Sequence, residues 1–199
     1  RDAINMQFDL TTLQQGYTQW NDLVRQNMLP KWEELPEIEL YMDQVVMLID
    51  RYLGFLKVAK SDETVITSSM VNNYVKIKIV PPPVKKRYSK AHPVYLIMVC
   101  ILKQTLNISA IQHLLPVEEK QEKAKEIYAF FLRNFNSAVN NCCSRIDDLI
   151  EPVLQSQSGE ACRDMTMQAA VSANMFKLFT EKMIHMTAEE KNEEEREEK

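Results

Sequence analysis

Three glycines in 199 residues are too few for a chain built on tight turns. Mostly-β folds take glycine at their positive-φ positions, so this scarcity argues against them and favours helices. Long apolar runs are also missing. The longest, Val94 to Leu102, falls far short of the ~20 residues that a membrane-spanning helix needs. The sequence opens without a basic-then-apolar leader, so the expectation is a cytoplasmic protein. Its four cysteines, Cys100, Cys142, Cys143 and Cys162, form no CxxC pair and have no histidine at ligand spacing. Adjacent Cys142 and Cys143 are too strained to bond each other, so buried reduced thiols are expected. The competing reading is a redox or metal sensor in which Cys142, Cys143 and Cys162 meet across helices. His92, His113 and His185 lie isolated in different segments. There is no Gly-rich phosphate loop, no HExxH and no Ser-centred elbow. The expectation is a protein that is not an enzyme and carries no cofactor or metal.

What is there is a strongly uneven charge. The net charge is −4, yet its distribution matters more than the sum. Residues 1–56 set nine acids against four bases, and residues 118–199 set seventeen against eleven. Residues 57–92 reverse the sign, with eight Lys or Arg against only Asp62 and Glu63. A local basic patch on an acidic protein is the electrostatic footprint of a polyanion partner.

Apolar spacing gives a mostly helical sketch. Residues 1–15 read as loose, and Thr18 to Gln26 as a short helix stopped before Pro30. Pro36 then opens an amphipathic helix, with Ile38, Met42, Val45, Val46, Ile49, Tyr52, Leu53 and Leu56 recurring at three and four. Lys60 to Val65 reads as a turn. Thr67 or Ser68 caps a helix carrying Met70, Val71, Tyr74, Val75 and Ile77, and Pro81-Pro82-Pro83 ends its path. Val84 to Tyr88 is expected to pair as a small β-hairpin. Val94 to Leu106 is apolar almost all round, which predicts a buried helix, and Ser109 to Leu115 a short one before Pro116. From Ala124 to Cys142 one apolar stripe follows, with Pro152 as an expected kink. The stretch from Gln155 to Glu160 reads as a linker, a methionine-rich helix comes next, and the charged tail is expected to be disordered.

Helix, turn, short polar helix, proline-ended basic loop, buried helix and short helix is the order of a winged helix-turn-helix. The stretch from Ile66 to Leu115 resembles the DNA-binding head of MerR-type transcription regulators. The features that carry this are Asn72-Asn73-Tyr74, Ile79-Val80-Pro81, Lys86-Arg87-Tyr88, Val94 to Leu106 and Ser109 to Leu115. Three departures stand out. That family usually has an arginine near Asn72 or Asn73, has a glycine where Lys78 stands, and has a shorter turn than Lys57 to Ile66. Through its "MVNNYVK…PPPVKKRYS" signature, the whole chain also resembles a family of bacterial proteins known only as a domain of unknown function.

The resemblance implies a recognition helix over about 67–78 and a wing over about 84–90. Asparagine offers a donor and an acceptor together to an adenine edge, so Asn72 and Asn73 are the candidate base readers, with at most one pointing straight into the groove. Ser68 and Ser69 are placed for phosphate at the helix start, Tyr74 and Lys76 flank the helix, and Lys85, Lys86, Arg87 and Tyr88 form the wing. Tyr74 has an equal alternative as a core aromatic.

The expected organisation is an N-terminal segment (1–35), a DNA-binding domain (36–116), a helical dimerisation or effector module (117–187) and a charged tail (188–199). The Ala124 to Cys142 stripe suits a homodimer, and the methionine helix suits a pocket for an apolar small-molecule effector. The expected function is a sequence-specific transcription regulator acting on double-stranded DNA. The alternative is a helical protein–protein interaction module that keeps a winged-helix shape without binding DNA. The acidic flanks argue for the second, because they repel DNA unless held away from it.

Overall fold

The computed structural model describes residues 9–26, 29–57, 64–156 and 158–197. Among them the protein is mainly helical: α1 (Leu10–Gln26), α2 (Met42–Tyr52), α3 (Ser68–Lys76), α4 (Ala91–Leu102), α5 (Ile108–Leu114), α6 (Gln121–Ser156) and α7 (Gly159–Glu197). Short 3₁₀ turns lie at Trp32–Glu34 and Gly54–Leu56. The described residues contain no β-strand, only the isolated bridges Leu40–Tyr88 and Val84–Arg87. No helix among them is long and apolar enough to cross a membrane.

The chain divides into two compact units. The larger holds residues 29–134 and 177–199, the smaller residues 1–28 and 135–176. In the larger unit α4 is the centre. Every residue from Ala91 to Cys100 is buried, as its all-round apolar character requires. Helix α2 packs on it through Val45 and Ile49, and α2 also meets α3. The Tyr95 hydroxyl accepts the Glu118 N–H at 2.8 Å, which fastens the segment after α5 to α4. The Tyr128 hydroxyl donates to the Pro30 carbonyl at 2.8 Å, and Lys125 pairs with Glu33 at 2.7 Å. Together these hold the start of α6 against the segment around the first 3₁₀ turn.

In the smaller unit α1 lies along the later part of α6. The Tyr17 hydroxyl donates to the Asp147 carboxylate, which also pairs with Arg25 at 2.7 Å. Burial first, then the hydrogen bond to Asp147, pushes the Tyr17 hydroxyl up to about 12. Asp147 therefore joins two helices.

Several boundaries differ from the sequence reading. Helix α1 begins at Leu10 because the Asp9 carboxylate accepts the Thr11 and Thr12 N–H groups and caps it. Helix α2 starts at Met42, not Pro36, because Leu40 is committed to a backbone pair with Tyr88, 2.9 Å in each direction. Pro152 does not break α6, which continues to Ser156. Ser158 then caps α7 through its hydroxyl. The acidic tail expected to be disordered is helical to Glu197, as the high propensity of Glu, Lys and Arg allows. The expected turn from Lys60 to Val65 and the loose start lie largely outside the described residues. Asp50 pairs with Lys57 at 3.0 Å and accepts the Val65 N–H at 2.8 Å.

Candidate functional site

Helix α3 is set by local chemistry at both ends. The Thr67 hydroxyl accepts the Met70 N–H at 3.2 Å and caps its start. At its end the Lys78 N–H bonds the Val75 carbonyl at 3.1 Å and the Ile79 N–H bonds the Tyr74 carbonyl at 3.0 Å. This is a Schellman stop, with Lys78 at φ 59° in the place where glycine is usual. Val71 and Tyr74 face the core. Ser69, Asn72, Asn73 and Lys76, spaced at three, one and three, form one exposed stripe. The side-chain amides of Asn72 and Asn73 make no hydrogen bond among the described residues. Ser68 is half-buried in the first turn.

Beyond α3 the chain runs through Ile79, Val80 and Pro81, all buried, into the basic segment. No β-hairpin wing forms there. Pro82 and Pro83 have no N–H to offer a ladder, and the partner that Tyr88 finds is Leu40. What forms is a two-residue turn. Val84 and Arg87 exchange backbone bonds of 3.1 and 2.9 Å, with Lys85 (φ 50°) and Lys86 (φ 62°) at its tip. His92 holds the base of this loop. Its Nε2 lies 3.3 Å from the Pro82 carbonyl and its Nδ1 3.1 Å from the Ser89 carbonyl and hydroxyl. Burial pushes the His92 imidazole below its usual range.

The structure divides the candidate site residues. Tyr74, 2% exposed, is a core aromatic whose hydroxyl burial pushes up to about 12. Tyr88, 4% exposed, lies edge-on to His92 with ring centres 5.2 Å apart. Both are buried, because the apolar side of α3 and the base of the loop take large side chains to fill them. Arg87 is half-buried, with its guanidinium 4.0 Å above the Tyr41 ring. Lys90, in the same basic stretch, is buried in an ion pair with Glu37 and lies 5.4 Å over the Trp32 ring. Lys57 is taken by Asp50. Four exposed lysines, Lys76, Lys78, Lys85 and Lys86, have no acidic partner among the described residues. Lys78 is the one that sequence reasoning passed over. Its signal was available as a cation where the resembling family carries glycine.

Lys76 and Lys78 also line a half-open cleft of about 440 Å³ whose other walls include Val75, Pro81, Val117 and Glu119. The smaller unit has a shallow apolar cleft of about 370 Å³ between Leu13, Tyr17 and Trp20 on α1 and Ile146, Ile150 and Met165. Of the methionine-rich helix, Met165 lines this cleft. Met167, Val171, Met175, Phe176, Phe179 and Met183 are exposed. Cys100, Cys143 and Cys162 are buried and Cys142 is exposed. Burial pushes the Cys100 thiol up to about 12. No group of three metal-ligating side chains forms among the described residues, so Cys142, Cys143 and Cys162 do not converge as a metal site.

A family model described as a domain of unknown function (DUF1836) matches residues 30–131, just over half of the chain. No curated protein and no solved structure matches the sequence.

Proposed function

Since the chain belongs to the DUF1836 family, whose description assigns no activity, its function has to be read from the site, and we propose a sequence-specific transcription regulator that binds double-stranded DNA through a MerR-like head. The observation that carries this is the exposed stripe of α3. A capped helix presents two adjacent asparagines with unengaged amides on the side opposite its core residues, and Lys76 extends the same stripe. Interior asparagine is unfavourable in a helix, so two of them on a solvent face call for a reason beyond stability. An amide that donates and accepts together suits an adenine edge in the major groove. The order of α2, α3, basic turn, α4 and α5 also agrees with the resemblance. In this reading Asn72 and Asn73 read bases. Ser68, Ser69, Lys76, Lys85, Lys86 and the free edge of Arg87 meet phosphate.

The test is duplex binding measured over a range of salt. Log affinity is expected to fall linearly with log salt, at about −0.9 per phosphate contact. Lys86→Ala is expected to weaken all sequences about equally and to make the slope shallower by about one. Absence of duplex binding at low salt would overturn the proposal.

A second reading is favoured by a different observation. Exposed Phe176, Phe179, Met175 and Met183 on α7 are more than scattered surface apolar residues. They fit a homodimer, in keeping with the symmetric sites that regulators of this kind bind, or the protein–protein module that would remain if DNA binding is absent.

A further inference from the structure

Among the described residues, three that are not glycine take a positive φ: Lys78, Lys85 and Lys86. All three are lysines of one basic segment, all are exposed, and none has an acidic partner among the described residues. An L-residue in the left-handed region sets its Cβ against the following carbonyl, so these positions normally go to glycine, asparagine or aspartate. A two-residue turn with positive φ at both central residues favours Asn-Gly most of all. The stop at Lys78 favours glycine. Yet the sequence has no glycine between Gly54 and Gly159. The strain at Lys85 and Lys86 cannot relax by opening the loop, because His92 holds Pro82 and Ser89 and Val84 bonds Arg87 twice, and that at Lys78 is fixed by the two bonds that close the Schellman stop. Strained backbone that its surroundings over-determine is the kind found at binding sites.

We propose that Lys78, Lys85 and Lys86 form one phosphate-binding set for the backbone of a nucleic-acid duplex, in which left-handed backbone is retained so that each strained position carries an ammonium group. Lys78 is thereby a contact residue, which extends the interface past the end of α3. The backbone N–H groups of Lys85 and Lys86 make no hydrogen bond among the described residues, so the tip of the turn offers donors as well as charge. The proposal rests on the DNA-binding reading, and it adds a relation that reading does not contain: charge and stability are traded at the same three positions.

The experiment pairs thermal unfolding with duplex binding across salt for the full chain. Lys78→Gly and the double variant Lys85→Asn with Lys86→Gly relieve strain and remove charge. They are expected to raise Tm by ~2–4 °C per position and to make the salt slope shallower by about one per lysine. Lys78→Gln and Lys86→Gln remove charge and keep the Cβ, so they are expected to lose the same affinity with no gain in Tm. Lys103→Gln, an exposed lysine beyond the segment, is expected to leave the slope unchanged. If the wild-type protein binds duplex and the strain-relieving variants keep its slope, the set is not a phosphate site, and the DNA reading survives without it. A Tm that fails to rise in those variants would equally overturn the trade. If the wild type binds no duplex at any salt, the DNA reading falls and this inference falls with it.

Discussion

His92 does the most work for its size. It is buried, its Nε2–H donates to the Pro82 carbonyl and its Nδ1 accepts from the Ser89 hydroxyl, so it fixes the loop that presents Lys85 and Lys86. Burial holds its folded-state pKa below the unfolded value near 6.5. In the window between the two, the unfolded chain binds a proton that the folded one refuses, so stability rises with pH there. The contribution is therefore complete above about pH 6.5 and lost as pH falls towards the folded pKa. His92→Gln removes this titration. Unfolding midpoints from pH 5 to 8 are expected to converge less steeply towards acid in the variant than in the wild type, and equal pH dependence would refute the role. Tyr74 gives a complementary residue-scale test. Tyr74→Phe keeps the buried ring and is expected to retain both fold and DNA affinity. Tyr74→Ala opens a cavity and is expected to cost about 3–5 kcal/mol in a denaturant titration. Loss of affinity in the folded Phe variant would return Tyr74 to the contact surface.

At the scale of one element, α3 separates base reading from charge. Asn72 and Asn73 are exposed and uncharged, and their side-chain amides make no hydrogen bond among the described residues, so replacing either by alanine changes neither net charge nor core packing. One of the two substitutions is expected to relax preference at a single base position, a discrimination worth ~1–3 kcal/mol, with the salt slope unchanged. Sequences selected from a random duplex pool by each variant provide the readout. Stability is expected to hold or rise, because alanine is the better helix former. Identical selected sequences for wild type and both variants would reduce the interface to its cations. The same helix shows how far sequence pattern reaches. Its cap, its length and its polar stripe were legible, since caps and periodicity are written within four residues of each other. That Tyr74 took the core side of its two alternatives was not, because the choice depends on which helices come to lie against it.

For the whole molecule, the exposed apolar surface of α7 is where the proposed homodimer is tested. Phe176 and Phe179 are 66% and 62% exposed, which is unusual for phenylalanine. The sequence reading put a dimer contact on Ala124 to Cys142, but Ala124 and Tyr128 of that stripe are already buried within the chain. Phe179→Glu is therefore expected to shift the protein towards monomer without unfolding it, measured by sedimentation at several concentrations. A wild-type protein that stays monomeric at high concentration would place the partner elsewhere.

By itself the sequence determined the helical class, the buried identity of α4, a cap at Thr67 or Ser68 and the existence of one basic segment on an acidic chain. Each of these follows from composition or from spacing within a turn or two, where propensity, capping and periodicity act. Only the tertiary structure decided how that segment is used. Leu40 pairs with Tyr88 and delays α2, Glu37 and Trp32 take Lys90 out of the basic surface, and Tyr41 covers one face of Arg87. His92 closes a turn that leaves lysines at strained tips instead of a hairpin. Several of these partners lie about fifty residues from the groups they hold. Local preference carries no information over such separations, and packing settled which cations were buried and which were left exposed.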